Sequence, residues 1–212
     1  MRHKLIEKYT NLYKNYYELN GPYFGIKHSS IVFLRAKAIN DELDLMFPAN
    51  MLLHFAHTHN LFESFSTNSS YLAAMHVNTC EDDVYVYLST NQRAMIASAC
   101  IKHKPNTKYK HNSTFTELCA AAYLPPPTLI DMLEFEVYSM AGNKPILQEH
   151  IPRALKNIID KYGKLENYND VYRRYYGGRL VEWLKVVESL DDNPYLELAG
   201  RLLRDNHMLF AD

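Results

Sequence analysis

Glycine is scarce in this chain: seven in 212 residues is about 3%, under half the usual share. The loops that cradle phosphate on bare glycine backbone are missing with it. Neither G-x-G-x-x-G nor G-x-x-x-x-G-K-[ST] occurs. An excess of charge of either sign is missing too. The formal net charge is −1, so the whole chain lacks the field that draws a protein nonspecifically to DNA or anionic membranes. Cysteine is limited to Cys80, Cys100 and Cys119, with no C-x-x-C, which does not read as a disulfide framework or a zinc knuckle. No apolar run approaches the roughly 18 residues that span a bilayer, and no membrane association is expected. The first 17 residues carry Lys, Glu and Tyr throughout and lack the apolar core of a signal peptide. A cytoplasmic setting, in a cell or an infected host cell, follows as the expectation. The zinc-protease pattern H-E-x-x-H and the nucleophile elbow G-x-S-x-G are absent as well.

What is present is an ordinary globular composition, 47% apolar and 22% charged, with an unusual 17 tyrosines. A 24.7 kDa chain of this kind builds a core without metal or disulfide staples. Leu5, Ile6, Tyr9, Leu12, Tyr13, Tyr16 and Tyr17 recur at helical spacing and predict an amphipathic helix over 4–19, broken by Asn20-Gly21-Pro22. The β-branched run Ser30–Ala36 predicts a strand, then a turn at 40–42 and a second strand to Phe47. Residues 49–62 have the composition of a buried helix. Asp83–Leu88 alternates large residues and reads as the clearest strand. Ser89 or Thr90 then caps a helix over about 91–101. Thr114 with Glu117 forms a capping box for the helix 114–123, and Thr128 caps the next, to about Met140. From 146 on, every segment reads as helix. The expected class is therefore α+β, predominantly helical: a small mixed sheet in an N-terminal part, 1–142, and a helical C-terminal part, 143–212, compatible with one domain.

Candidate chemistry gathers at three places. His54 and His57 stand i,i+3 on one helix face and form a weak zinc pair that needs a third ligand, such as Glu63. The span 84–116 contains Arg93, Lys102, Lys104, Lys108 and Lys110 but no Asp or Glu. With Tyr109 for stacking, its loop is a candidate single-stranded nucleic-acid contact. At its start, Ser89, Asn91 and Arg93 open a helix, where free N–H groups beside an Arg suit an anion. Finally, 168–179 interleaves tyrosines with Arg173, Arg174 and Arg179, and is read as a helix junction in which Tyr packs and Arg snorkels. Asp131, Glu134 and Glu136 are read as a solvated acidic face.

These segments together resemble the flavin-dependent thymidylate synthases. Ala49-Asn-Met-Leu-Leu-His54-Phe55 is similar to the helix that carries that family's Arg-His-Arg triplet. Ser66 through Ser70-Tyr71 resembles its serine loop. Tyr87-Leu-Ser89-Thr-Asn91-Gln-Arg93 resembles its second motif. Leu53 and Phe55 stand where the family has its two arginines. The resemblance implies a diverged protein that binds a phosphorylated nucleotide, with FAD as candidate cofactor, through His54, Ser66, Tyr71, Ser89, Asn91 and Arg93. Beside this stands a non-enzymatic reading of nearly equal weight: a viral or host-interaction assembly protein, homo-oligomeric or bound to a protein partner. Tyrosines favour contact surfaces, and few glycines suit a rigid scaffold.

Overall fold

The computed structural model describes residues 2–65, 67–104, 112–142, 144, 146–190, 199–201 and 203. Every regular element among them is helical, so the expected α+β class is corrected to all-α. None of the three expected strands forms, and in the segment expected as the second, to Phe47, Asp44 and Met46 take left-handed φ (52° and 63°). At 30–36 the buried side chains are Val32, Phe33 and Ala36, continued by Ile39 and Asn40, while Leu34 is exposed. That is the 3.6-residue period of a helix face, not alternation. At 83–88 the adjacent pair Val84 and Tyr85 is buried together with Leu88, and Val86 and Tyr87 are exposed. Turn hydrogen bonds, Tyr85 N–H to Asp82 O (2.8 Å) and Leu88 N–H to Tyr85 O (3.0 Å), hold this segment. Alternation is a strand signal only where a partner strand offers a ladder.

The chain divides into two compact units, Met1–Tyr123 and Leu124–Asp212. Unit 1 runs α1 (Arg2–Leu12), α2 (Lys14–Leu19), α3 (Gly21–Phe24), α4 (Ile26–Glu42), α5 (Ala49–Thr58), α6 (Ser69–Thr79), α7 (Thr90–Lys102) and α8 (Thr114–Tyr123). Helical bonding continues through Tyr13, whose N–H donates to Tyr9 O (2.9 Å) and whose carbonyl accepts from Tyr17 N–H (3.0 Å). So α1 and α2 act as one arm with Tyr9, Tyr13 and Tyr17, four residues apart, on its buried side. Helix α5 is buried at every position from Met51 to Thr58, which marks it as the central helix of the unit. Around it, α4 packs on α5 and α8, and α7 packs on α5, α6 and α8. Alanines 120–122 of α8 let the neighbours approach closely, while Phe115 and Leu118 fill the core. Each such side chain stabilises by about 1.5–3 kcal/mol. Gly25, between α3 and α4, is required: a Cβ there would sit 2.8 Å from Gly21 O and 2.9 Å from Tyr17 O.

Unit 2 contains α9 (Leu129–Ala141), α10 (His150–Tyr162), a 3-10 turn (Leu165–Asn167) and α11 (Asp170–Glu188). Helix α11 is kinked at Gly177 (φ 39°), where the glycine pair predicts a break. The expected solvated acidic face is corrected at Glu136, which is buried. Its carboxylate accepts from Asn157 Nδ2 (2.9 Å), Lys161 Nζ (2.9 Å) and Tyr162 Oη (3.0 Å). Tyr168, Tyr172 and Tyr176 are buried side by side, and Trp183 Nε1 donates to Tyr168 Oη (2.9 Å).

Candidate functional site

The most unusual chemistry is the polar interior of unit 1. His54, His57, His59 and Asn60 come from α5 and the turns after it, His28 from α4, and His103 from the end of α7; all are buried. Two layers result. In the first, the arm's three phenols meet three imidazoles. Tyr9 Oη bonds His54 Nδ1, Tyr13 Oη bonds His76 Nε2 (2.7 Å), and Tyr17 Oη bonds His57 Nδ1 (2.6 Å). Tyr13 Oη also donates to Tyr85 Oη (3.0 Å), and the Tyr9 ring stacks on His57 at 4.7 Å. Burial raises the phenols of Tyr9, Tyr13 and Tyr17 far above their ordinary range, so they stay protonated. Burial also lowers His54 to about 3, helped by His57 and Arg93, and His57 to about 4. The layer is therefore neutral, with phenol O–H groups donating to the Nδ1 lone pairs of His54 and His57.

In the second layer, His59 Nδ1–H donates to Ala56 O (3.1 Å) and Phe55 O (3.2 Å), and His103 Nδ1–H donates to Cys100 O (2.8 Å). Both rings thus present Nε2 as an acceptor, and His28 Nε2 stands 3.2 Å from His59 Nε2 and 3.4 Å from Asn60 Nδ2. Burial lowers His59 to about 3 and holds His28 and His103 well below the usual imidazole range. His103 Nε2 and Asn60 Oδ1 are the buried side-chain atoms without a hydrogen-bond partner among the described residues. No group of three or more His, Cys, Asp or Glu among the described residues is disposed to hold a metal ion. Cys80, Cys100 and Cys119 are free thiols.

The sequence candidates fall around this interior without forming one pocket. Ser89 caps α7, accepting from Gln92 N–H (3.3 Å) while Gln92 Oε1 accepts from Ser89 N–H (2.9 Å). Arg93 donates to Cys80 O (2.8 Å), Tyr85 O (2.9 Å) and Val77 O (3.3 Å), tying the end of α6 to the turns before α7. Those bonds give Arg93 a structural task. Asn91 is exposed at the start of α7, and Tyr71 is exposed on α6. Lys104 pairs with Glu63 (2.8 Å), and Lys102 is half-buried at the end of α7. Ser66, Lys108, Tyr109 and Lys110 lie outside the described residues.

Sequence reasoning singled out His54 and His57 but missed Tyr9, Tyr13, Tyr17, His28, His103 and Tyr85 as parts of the same interior. The four-residue spacing of the tyrosines was the available signal. Compared with protein-family models, curated proteins and solved structures, the chain has no match.

Proposed function

We propose that this chain is a non-enzymatic assembly protein that associates with a second copy of itself through an apolar face of unit 1. The observation that carries this is a cluster of exposed apolar side chains on the arm and α6. Leu12 and Leu19 are 38% and 51% exposed, Phe65 53% and Met75 63%. Leu12, Tyr16 and Leu19 share a face of the arm at i, i+4, i+7. The Tyr16 ring stands 5.5 Å from both Phe62 and Phe65, and Phe62 stands 5.7 Å from His76, which shares the α6 face with Leu72. Contiguous exposed apolar surface of this kind marks interaction sites. A net charge of −1 leaves little repulsion between copies. The groups offered as anion or nucleic-acid candidates support the same reading, because Ser89, Arg93 and Lys104 are engaged within the chain.

Sedimentation velocity over a concentration series tests it. The expected result is a reversible dimer that Leu19→Asp with Met75→Asp converts to monomer, with unchanged helical circular dichroism. A wild type that stays monomeric up to ~100 μM, an affinity below about −5.5 kcal/mol in strength, overturns the reading.

The nucleotide reading rests on the N-terminal turn of α7, which has no acidic residue and exposes Asn91. Millimolar dUMP or FAD raising the unfolding temperature would replace the assembly reading with it. No shift by either ligand removes it.

A further inference from the structure

Besides an exposed ion pair of Lys8 with Asp83 (3.8 Å), the arm, residues 2–19, is held to the rest of unit 1 in two chemically different ways. Along its length it is latched by titratable pairs: Tyr9 with His54 and Tyr17 with His57 on α5, and Tyr13 with His76 on α6. At its C-terminal end it is clamped by groups that do not titrate. Asn20 Nδ2 donates to Asn60 O (2.8 Å), Ser64 N–H donates to Asn20 Oδ1 (3.1 Å), and Ser64 Oγ donates to Leu19 O (2.8 Å). Directly after the clamp, Gly21 takes the left-handed conformation (φ 74°), which gives the backbone a bend between arm and body. A latch that responds to protons and a clamp that does not, joined at a bend, are the parts of a hinge.

We propose that residues 2–19 are an acid-released arm: three phenol–imidazole hydrogen bonds hold it closed, and proton uptake by His54 and His57 frees it to swing about Asn20 and Gly21. A proton taken at Nδ1 of His54 or His57 removes the lone pair that accepts the phenol hydroxyl. It also places a cation in a buried site. The groups that face His54 and His57 oppose that charge or are indifferent to it. Around His54 stand Tyr9 from the arm, Tyr85 from the turns after α6, His57 from its own helix and Arg93 from α7. Around His57 stand Tyr9 and Tyr17 from the arm and the imidazoles of His54 and His59 from its own segment. His76 is the entry point: it is half-buried, it faces Tyr13, Phe62 and Tyr85, and Asp82 favours its charged form.

Release of the arm returns the His54 and His57 rings to water, so the open form binds protons that the closed form refuses. Each fully buried ring then shifts the closed–open balance by on the order of 20-fold between pH 7 and pH 5, and His54 and His57 together by several-hundred-fold, roughly. His28, His59 and His103 are packed among α4, α5, α7 and α8, away from the arm's bonds. They respond when the whole unit opens, at lower pH than the arm. The device stands whether or not the chain self-associates.

Hydrogen–deuterium exchange at pH 7 and pH 5, corrected for the intrinsic rate and run at sub-micromolar concentration, tests it. The expected result is that peptides covering 2–19 are less protected than α4 peptides at both pH values and lose about 100-fold or more between them, with α10 peptides unchanged. Arm protection that stays constant, or that equals α4 protection at both pH values, overturns the proposal. His54→Asn with His57→Asn keeps an acceptor near each Nδ1 position but cannot titrate. That variant is expected to cut the pH response at least tenfold, and an undiminished response overturns it. Should the variant not fold, imidazole carbon NMR of the wild type decides. His54 and His57 signals that stay neutral until the arm opens support the latch. Signals that titrate normally near pH 6.5 beneath a protected arm refute it.

Discussion

The two units bury polar groups by opposite means. Unit 1 buries His28, His54, His57, His59 and His103, satisfied by phenols, other rings and backbone carbonyls. Among its described residues, unit 2 buries one carboxylate, Glu136, and surrounds it with an ammonium, an amide and a hydroxyl. The first solution is uncharged and holds only while the imidazoles stay neutral. The second is a charge-assisted cluster whose weak point is the loss of any one member. One chain therefore combines a unit whose interior is conditional on pH with one conditional on a single side chain.

The sharpest way to break this comparison is acid. His54, His57 and His59 have folded values of about 3, 4 and 3. Their unfolded value is about 6.5. Because the folded value is the lower one, the unfolded chain binds the proton first. Stability is then full above about pH 7 and falls as pH drops through 6.5 toward those folded values. Between pH 7 and pH 5 the three rings together remove about 6 kcal/mol from unit 1, roughly 2 kcal/mol each. Exchange at α4 and α5, compared with fluorescence of Trp183, the one tryptophan and a unit 2 residue, reads the two units separately. Equal acid sensitivity in both would end the distinction.

Glu136→Ala attacks the other side. It strands Lys161, Asn157 and Tyr162 and is expected to cost unit 2 about 3–5 kcal/mol in urea unfolding followed at Trp183. A cost under about 1 kcal/mol would show that the cluster is ornamental. Arg93→Ala removes three charge-assisted bonds to backbone carbonyls in unit 1 and should cost about 2 kcal/mol. Little change there would reopen Arg93 to a ligand role. The smallest effect belongs to Ser89→Ala, about 1 kcal/mol for the lost cap of α7, measured by the same denaturation. If Arg93→Ala and Ser89→Ala shift the acid midpoint of unit 1 as well, the arm layer and the start of α7 are coupled.

Much of the helical plan was legible. Ser89 with Gln92, Thr128 with Asp131 and the glycine break at 177 act where local chemistry places them. The cap of α8 is one residue earlier than read, at Ser113, whose Oγ accepts from Thr116 N–H (3.2 Å). The segments 30–36 and 83–88 were not legible. Ile31-Val32 and Val84-Tyr85-Val86-Tyr87 carry β propensity that burial at helical or turn spacing overrode. The candidate site was half legible. His54 and His57 stood out as an i,i+3 pair, and the tyrosine stripe at 9, 13 and 17 was visible as an amphipathic helix face. Their union was not, because Tyr13 and His76 lie 63 positions apart and Tyr17 and His57 lie 40 apart.

By itself, the sequence determined what depends on near neighbours along the chain: helix starts and stops, the two-sidedness of the arm, the glycines as punctuation, and an interior that must house aromatic and imidazole rings. Tertiary structure alone decided which rings meet, which carboxylate is buried and which arginine is consumed. The reason is that hydrogen-bond partners and burial are properties of surfaces brought together across the chain. A local periodicity specifies which face a helix will bury, but not what that face will meet.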